Sequence, residues 1–185
     1  MTTSQLTKPP LTHLKELSTS LGLYEHAQID VPRTAHGYCV DDVARGLILL
    51  CHETELDKDS EILINVYLEF VLKAITSNGL CHNRMDNNGN WTDEASTADC
   101  WGRAVWALGV AAVHAPNPKQ RSKSLVGFLT LAKTSTRDLM SLTFATLGAG
   151  EVLLAYPQES RARKIILAAQ SRLLPQDETA EWAWP

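Results

Sequence analysis

Several functional classes need features that this sequence lacks. Its four cysteines (Cys39, Cys51, Cys81, Cys100) include no CxxC pair, and a tetrahedral zinc framework needs ligands in tighter couples. Cys51-His52 and Cys81-His82 are adjacent pairs, and chain neighbours rarely point at one metal. Neither a metal site nor a cofactor is therefore expected. A basic run is also missing: 17 Lys and Arg stand against 21 Asp and Glu, for a formal net charge of -4. Phosphate neutralisation supplies most non-specific nucleic-acid affinity, so no nucleic-acid partner is expected. No stretch approaches the roughly 18 consecutive apolar residues of a membrane helix. The opening MTTSQLTKPPLTHL has neither the charged nor the apolar region of a signal peptide. These absences lead to the expectation of a cytoplasmic protein with no membrane partner. The composition itself, 185 residues of which 44% are hydrophobic, is that of one globular domain.

What the sequence has is helical periodicity. Leu11, Leu14, Leu17 and Leu21 repeat at helical spacing after Pro9-Pro10, which predicts a helix over 11–21. Further helices are predicted over 40–51, 60–76, 98–114, 119–133, 136–156 and 159–174, with Ser96 or Thr97 capping the fourth. Asn87-Asn88-Gly89 marks a tight turn, so 80–93 reads as a short β-hairpin or ordered loop. Apolar, small-residue helices (40–51, 98–114, 136–156) alternate with amphipathic ones (11–21, 60–76, 119–133, 159–173). An apolar helix is buried on most sides, whereas an amphipathic one faces solvent on one side. The alternation predicts an all-α fold of helical hairpins, with the apolar helices inside and the amphipathic ones outside. Such two-layer arrays are α/α toroids or α-solenoids.

The inner helices open alike. Asp41-Asp42-Val43-Ala44-Arg45-Gly46 begins one, and Asp99-Cys100-Trp101-Gly102-Arg103-Ala104 begins the next. Similar openings on consecutive inner helices place their acids at the same end of the bundle. Around them gather His36, Tyr38, Asp41, Asp42 and Arg45, and then Arg84, Asp86, Trp91, Asp93, Asp99, Trp101 and Arg103. The five tryptophans stand at 91, 101, 106, 182 and 184, none in the first 90 residues. Aromatics beside carboxylates and arginines suit a carbohydrate: sugar C–H faces stack on indole while acids and guanidinium grip hydroxyls. Glycoside hydrolysis in particular needs two carboxyl groups across the scissile bond. Each acid also has a structural reading. Asp41, Asp42 and Asp99 could cap helices, and Asp42/Arg45 and Asp99/Arg103 could be intrahelical ion pairs. Trp101 and Trp106 could be core. His13, His52, His82 and His114 read as surface or core residues.

The segments LYEHAQIDVPRTAHGYC, HGYCVDDVARGL and HNRMDNNGNWTDEASTADCWGRAVWALG resemble a bacterial six-hairpin, (α/α)6-toroid family. Members of that family are glycosidase-like or joined to glycosyltransferase domains. The resemblance runs from about Leu11 to the end, and it implies a carbohydrate cleft at the N-terminal ends of the inner helices. It also implies that three hairpins here make up about half of a toroid: a single partial domain over 1–185 with residues 1–10 disordered. The ending Glu181-Trp182-Ala183-Trp184-Pro185 then reads as a further motif cut short.

On this reading an oligosaccharide or glycan is the partner. Asp42 and Asp99 are the acid/base candidates, oriented by Arg45 and Arg103. His36, Tyr38 and Trp91 shape the sugar subsite, joined by Asp41, Arg84, Asp86, Asp93 and Trp101. A non-catalytic accessory module of a glycosyltransferase and a protein-binding scaffold are the competing classes. An open half-ring also leaves apolar residues such as Ile165, Ile166, Leu167, Leu173 and Leu174 without a neighbour. The chain is therefore expected to form a homo-oligomer or to belong to a longer polypeptide.

Overall fold

A computed structural model of the chain describes residues 10–173. The expectations for residues 1–9 and for the ending 174–185 lie outside the described residues. The described chain is mostly helical, in line with an all-α fold, and carries only two-residue strands. Its elements are α1 (Thr12–Glu16), β1 (Ala27–Gln28), β2 (Val31–Pro32), β3 (Tyr38–Cys39), α2 (Val40–His52), α3 (Lys58–Lys73), β4 (Arg84–Met85), α4 (Asp99–His114), α5 (Pro118–Leu131), α6 (Leu139–Ala155) and α7 (Ser160–Leu173). Among the described residues no helix is long and apolar enough to cross a membrane.

The first helix is much shorter than its leucine spacing predicts. Ser18, Thr19 and Ser20 follow it, and hydroxyl side chains compete for backbone groups and favour turns over helix interiors. The Ser18 hydroxyl donates back to the Leu14 carbonyl at 2.6 Å and meets the Tyr67 hydroxyl at 2.5 Å. The Thr19 amide donates instead to the Gly22 carbonyl at 2.8 Å. Helix α4 is also capped differently from expectation. Its N-cap is Ala98, without a side-chain cap, and the Thr97 carbonyl accepts the hydroxyls of Thr136 and Ser141. Helices α3, α5 and α6 start on polar caps. Asp57 accepts the Ser60 amide, Asn117 closes a capping box with Gln120, and Asp138 accepts the Ser141 amide.

Helices α2, α4 and α6 lie side by side and parallel. Asp41 meets Arg103 near their N-terminal ends, and the His52 and His114 rings stand 5.0 Å apart at the C-terminal ends. The α4–α6 seam is the closest in the molecule. A Cβ on Gly102 would lie 2.8 Å from Ser141 Cα, and one on Gly109 2.7 Å from Gly148 Cα. Only glycines allow this approach. Helices α3, α5 and α7 each return antiparallel across the preceding helix and form the second layer. Leu72 of α3 reaches Gly127 of α5 within that layer. Between the layers the core buries Leu47, Leu50, Ile64, Tyr67, Leu68, Phe70, Leu108, Phe128 and Leu131. Each large apolar side chain taken fully from water stabilises the fold by about 1.5–3 kcal/mol.

The region 80–93 forms an ordered loop that pairs outward as well as on itself. β4 runs antiparallel to β3, with Tyr38 opposite Met85 and Cys39 opposite Arg84. Met85 also bridges to Trp91. Gly37, with φ of 68°, lets the chain enter β3 hard against the Met85 carbonyl, where a side chain would collide.

One face of the parallel layer is left uncovered by the second. It carries Asp41, Arg45 and Leu49 from α2, Asp99, Arg103 and Trp106 from α4, and Met140, Phe144, Leu147 and Leu154 from α6. The apolar strip of α7 is less open than the sequence suggests. Ile165 is buried and Ile166 and Leu173 pack on the core, whereas Leu167 is exposed.

Candidate functional site

The three parallel helices bring their N-terminal turns to one end of the layer, and the long connections 17–39 and 74–98 fold over that end. Asp41, in the first turn of α2, is its centre. Its Oδ2 accepts from Asn83 Nδ2 at 3.1 Å, and its Oδ1 stands 3.1 Å from Arg103 Nε. Both side chains of this ion pair are largely covered, with 22% of Asp41 and 18% of Arg103 exposed. The pair is interhelical. Arg103 stands one turn beyond Asp99 but reaches across to α2, which replaces the intrahelical Asp99/Arg103 pairing that the spacing allows.

Burial pushes the Asp41 carboxyl above its ordinary value. The Asn83 hydrogen bond, Arg103 and Arg45 pull it down, and the nearby Asp99 charge pushes it up. The Asp41–Arg103 pair joins the two similar helix openings. Hydrogen-bonding capacity is left over here. Asp41 Oδ1 and Arg103 Nε are close but misaligned, so neither is satisfied, and Asn83 Oδ1 is also buried without a donor. Native interiors leave few such atoms, and each calls for an explanation such as a bound group.

Above this centre, Arg103 lies over the Phe144 ring at 4.0 Å. Trp106 stacks parallel to Phe144, with centroids 6.0 Å apart. Trp106 and Phe144 are half-buried on the uncovered face, so an aromatic surface continues directly from the acid–arginine cluster.

The remaining sequence candidates have other work. Asp42 pairs with Arg45 at 3.2 Å and accepts the Cys39 thiol at 3.0 Å. That bond and burial push the thiol far up. Asp93 is a loop clamp: its carboxylate accepts the amides of Asn83 (2.7 Å) and Arg84 (2.9 Å), and its carbonyl meets His82 Nδ1 at 2.9 Å. Asp86 organises the Asn-Gly turn by accepting the amides of Asn88 and Asn90. The Asn90 bonds hold its carboxyl below the usual range. Arg84 is paired with Glu25, whose side chain is only 8% exposed. His36 is exposed and packs edge-on against His26.

Two of the three aromatics expected at a sugar subsite are buried in the core, and the third, Trp91, is half-buried. Tyr38 is buried, stacks on Tyr24 and meets the Thr19 hydroxyl at 3.0 Å. Trp101 is buried, and its indole donates to the Gly79 carbonyl at 3.0 Å. Trp91 is covered on one face by His82 and meets Phe70 edge-on. The sequence reading missed Asn83 and Phe144 and took Trp106 and His82 for inert residues. One signal was available: Asp99, Arg103 and Trp106 stand at i, i+4 and i+7, on a single face of α4.

Among the described residues no group of three or more His, Cys, Asp or Glu side chains could hold a metal ion. No family model matches the chain, and no curated protein matches it.

Proposed function

We propose that this protein binds an oligosaccharide along the uncovered face of α2, α4 and α6, with the polar end of the ligand at Asp41, Asn83, Asp99 and Arg103. The observation that carries the reading is the convergence of Asp41, Asn83 and Arg103 at one end of the layer, directly beside the half-buried Trp106–Phe144 surface. A sugar hydroxyl is both donor and acceptor, so adjacent hydroxyls supply a donor to each oxygen and an acceptor to the guanidinium. The Trp106–Phe144 surface beside them offers the apolar face on which a pyranose ring stacks. The sequence resemblance to six-hairpin toroids agrees with this reading. In it, α2–α7 are three inner/outer hairpins of an (α/α)6 ring, and a further hairpin or a second copy covers Leu147 and Leu154.

The upward-shifted Asp41 carboxyl beside Asp99 favours a second, catalytic version. In this version one of the two carboxyl groups protonates the glycosidic oxygen, and the other activates water or attacks the anomeric carbon. Asp41 then stands with Asp99 in the acid/base pair, in place of the sequence candidate Asp42, which Arg45 and Cys39 already engage.

A glycan panel read by thermal shift and by release of reducing ends tests both versions. Stabilisation that is lost in Asp41→Asn and Trp106→Ala, without product, is the outcome for a binding module. Product formation that stops in Asp41→Asn and Asp99→Asn is the outcome for a hydrolase. A protein that responds to no glycan contradicts both.

A further inference from the structure

A second site lies on the other layer. A cavity of about 490 Å3 runs along α7, bounded by the end of α5 and the connection 132–138. Lys133, Arg161, Lys164 and Arg172 line it, and among the described residues no Asp or Glu does. Its floor is apolar, built from Trp101, Leu142, Ile165 and Ala168. Among the described residues no carboxylate forms an ion pair with any of the four cations.

The two arginines are held in place by carbonyls. Arg161 Nη1 donates to Leu129 O at 2.9 Å, and Arg172 donates to Thr136 O and Arg137 O at 2.8 and 2.5 Å. These bonds fix each planar fork and leave its charge uncompensated. Lys133 and Lys164 are exposed. Helix C-termini attract cations, which accounts for Arg172 in the last turn of α7 and for Lys133 just beyond α5. It does not account for Arg161, which stands in the first turn of α7, where the dipole disfavours a cation. Glu159 beside it is turned to the Arg161 amide. A chain of net charge -4 has thus gathered four cations around one hollow with no acid lining it.

We infer that this cavity is a binding site for a small organic oxyanion, a phosphorylated or polycarboxylate molecule with an apolar body. Arg161 and Arg172 stand eleven residues apart on α7, about 16 Å along a helix. The site therefore fits an extended anion or one with two charged groups better than a single compact ion. Its charged groups meet Lys133, Lys164 and the arginine forks, and its apolar part rests on Ile165 and Ala168. This site is separate from the proposed glycan face and does not depend on that reading.

Pyrophosphate, inorganic phosphate and citrate, titrated into the full chain by calorimetry, are the test, with sodium chloride at matched ionic strength as the control. Pyrophosphate or citrate is expected to bind one to one and inorganic phosphate more weakly. Binding by pyrophosphate alone assigns a phosphate ligand, and binding by citrate as well assigns a general polyanion. Lys133→Gln and Lys164→Gln, whose side chains make no hydrogen bond or ion pair among the described residues, should each weaken binding about tenfold. Trp106→Ala should leave it unchanged. Heats no larger than those of sodium chloride, or affinity that survives in the Lys133→Gln/Lys164→Gln double variant, would overturn the inference.

Discussion

The two ends of the α2–α4–α6 layer are built differently. At one end the hairpins are joined by tight turns, 53–57, 115–117 and 156–159. Several of their polar groups are met locally: Asn117 caps α5, Arg121 holds the Ala115 and Pro116 carbonyls, and Arg163 holds the Pro157 carbonyl. At the other end the chain crosses through 17–39 and 74–98. There the hydrogen bonds join residues far apart in sequence, such as Asn83 to Asp41 and Asn87 to Thr34. The buried polar atoms of Asp41, Asn83 and Arg103 without an aligned hydrogen bond cluster at this second end, whereas the first end holds a single one, Ser60 Oγ. One rigid layer thus carries an end closed by short turns and an end where buried polar groups from distant segments meet. Binding groups concentrate on long connections held by a rigid scaffold for this reason.

The comparison breaks most severely if the layer itself gives way. Gly102→Ala places a methyl against the Ser141 backbone, where no flexible side chain can yield. A loss of about 1–3 kcal/mol or more is expected in urea denaturation. Gly150 meets nothing within 4 Å, so Gly150→Ala on α6 should gain about 0.5–1 kcal/mol. Equal stabilities for the two variants would show that α4 and α6 are not in backbone contact.

Asp93→Ala removes the acceptor of two amides at the long-loop end. It should lower stability by about 1–3 kcal/mol and weaken any glycan response with it, because Asn83 is no longer held against Asp41. Asn117→Ala, at the tight-turn end, should lower stability by about 1 kcal/mol and leave the glycan response intact. If the two variants affected ligand equally, the distinction between the ends would have no functional content.

The smallest effect on stability is the most specific. The Asp41 carboxyl titrates above its unfolded value, so its contribution is full at low pH and is lost as pH rises through the raised folded value. Carboxyl carbon NMR should find it shifted up. Arg103→Met should raise it further, by removing a cation that holds it down, and Asp99→Asn should lower it, by removing a like charge. No response to either change would mean that the two helix openings do not communicate.

Much of this layout is legible in the sequence because it rests on local periodicity. The alternation of apolar and amphipathic segments anticipated six of the helices, with no boundary shifted by more than three residues. The two acid-and-arginine openings placed Asp41 and Asp99 at one end. What failed depended on partners distant in sequence. Spacing allows Arg103 to pair with Asp99, but only the packing of α2 on α4 sends it to Asp41. Tyr38, Trp91 and Trp101 look like ligand platforms because polar residues surround them in sequence. In space Tyr24, Phe70, His82 and the Gly79 carbonyl enclose them. Phe144 gives no sequence signal beyond being the one aromatic inside an apolar helix, and its role comes from the neighbouring helix that carries Arg103 and Trp106.

The central claim is that the long-loop end of the uncovered face holds a glycan. The most direct measurement is an amide and indole NMR titration of the full chain with the oligosaccharide giving the largest thermal shift in the panel. Saturable changes are predicted at Asp41, Asn83, Asp99, Arg103 and the Trp106 indole, with His52 and His114 at the opposite end unmoved. Changes centred on His52 and His114, or a panel in which no oligosaccharide moves any of these signals, would contradict the account.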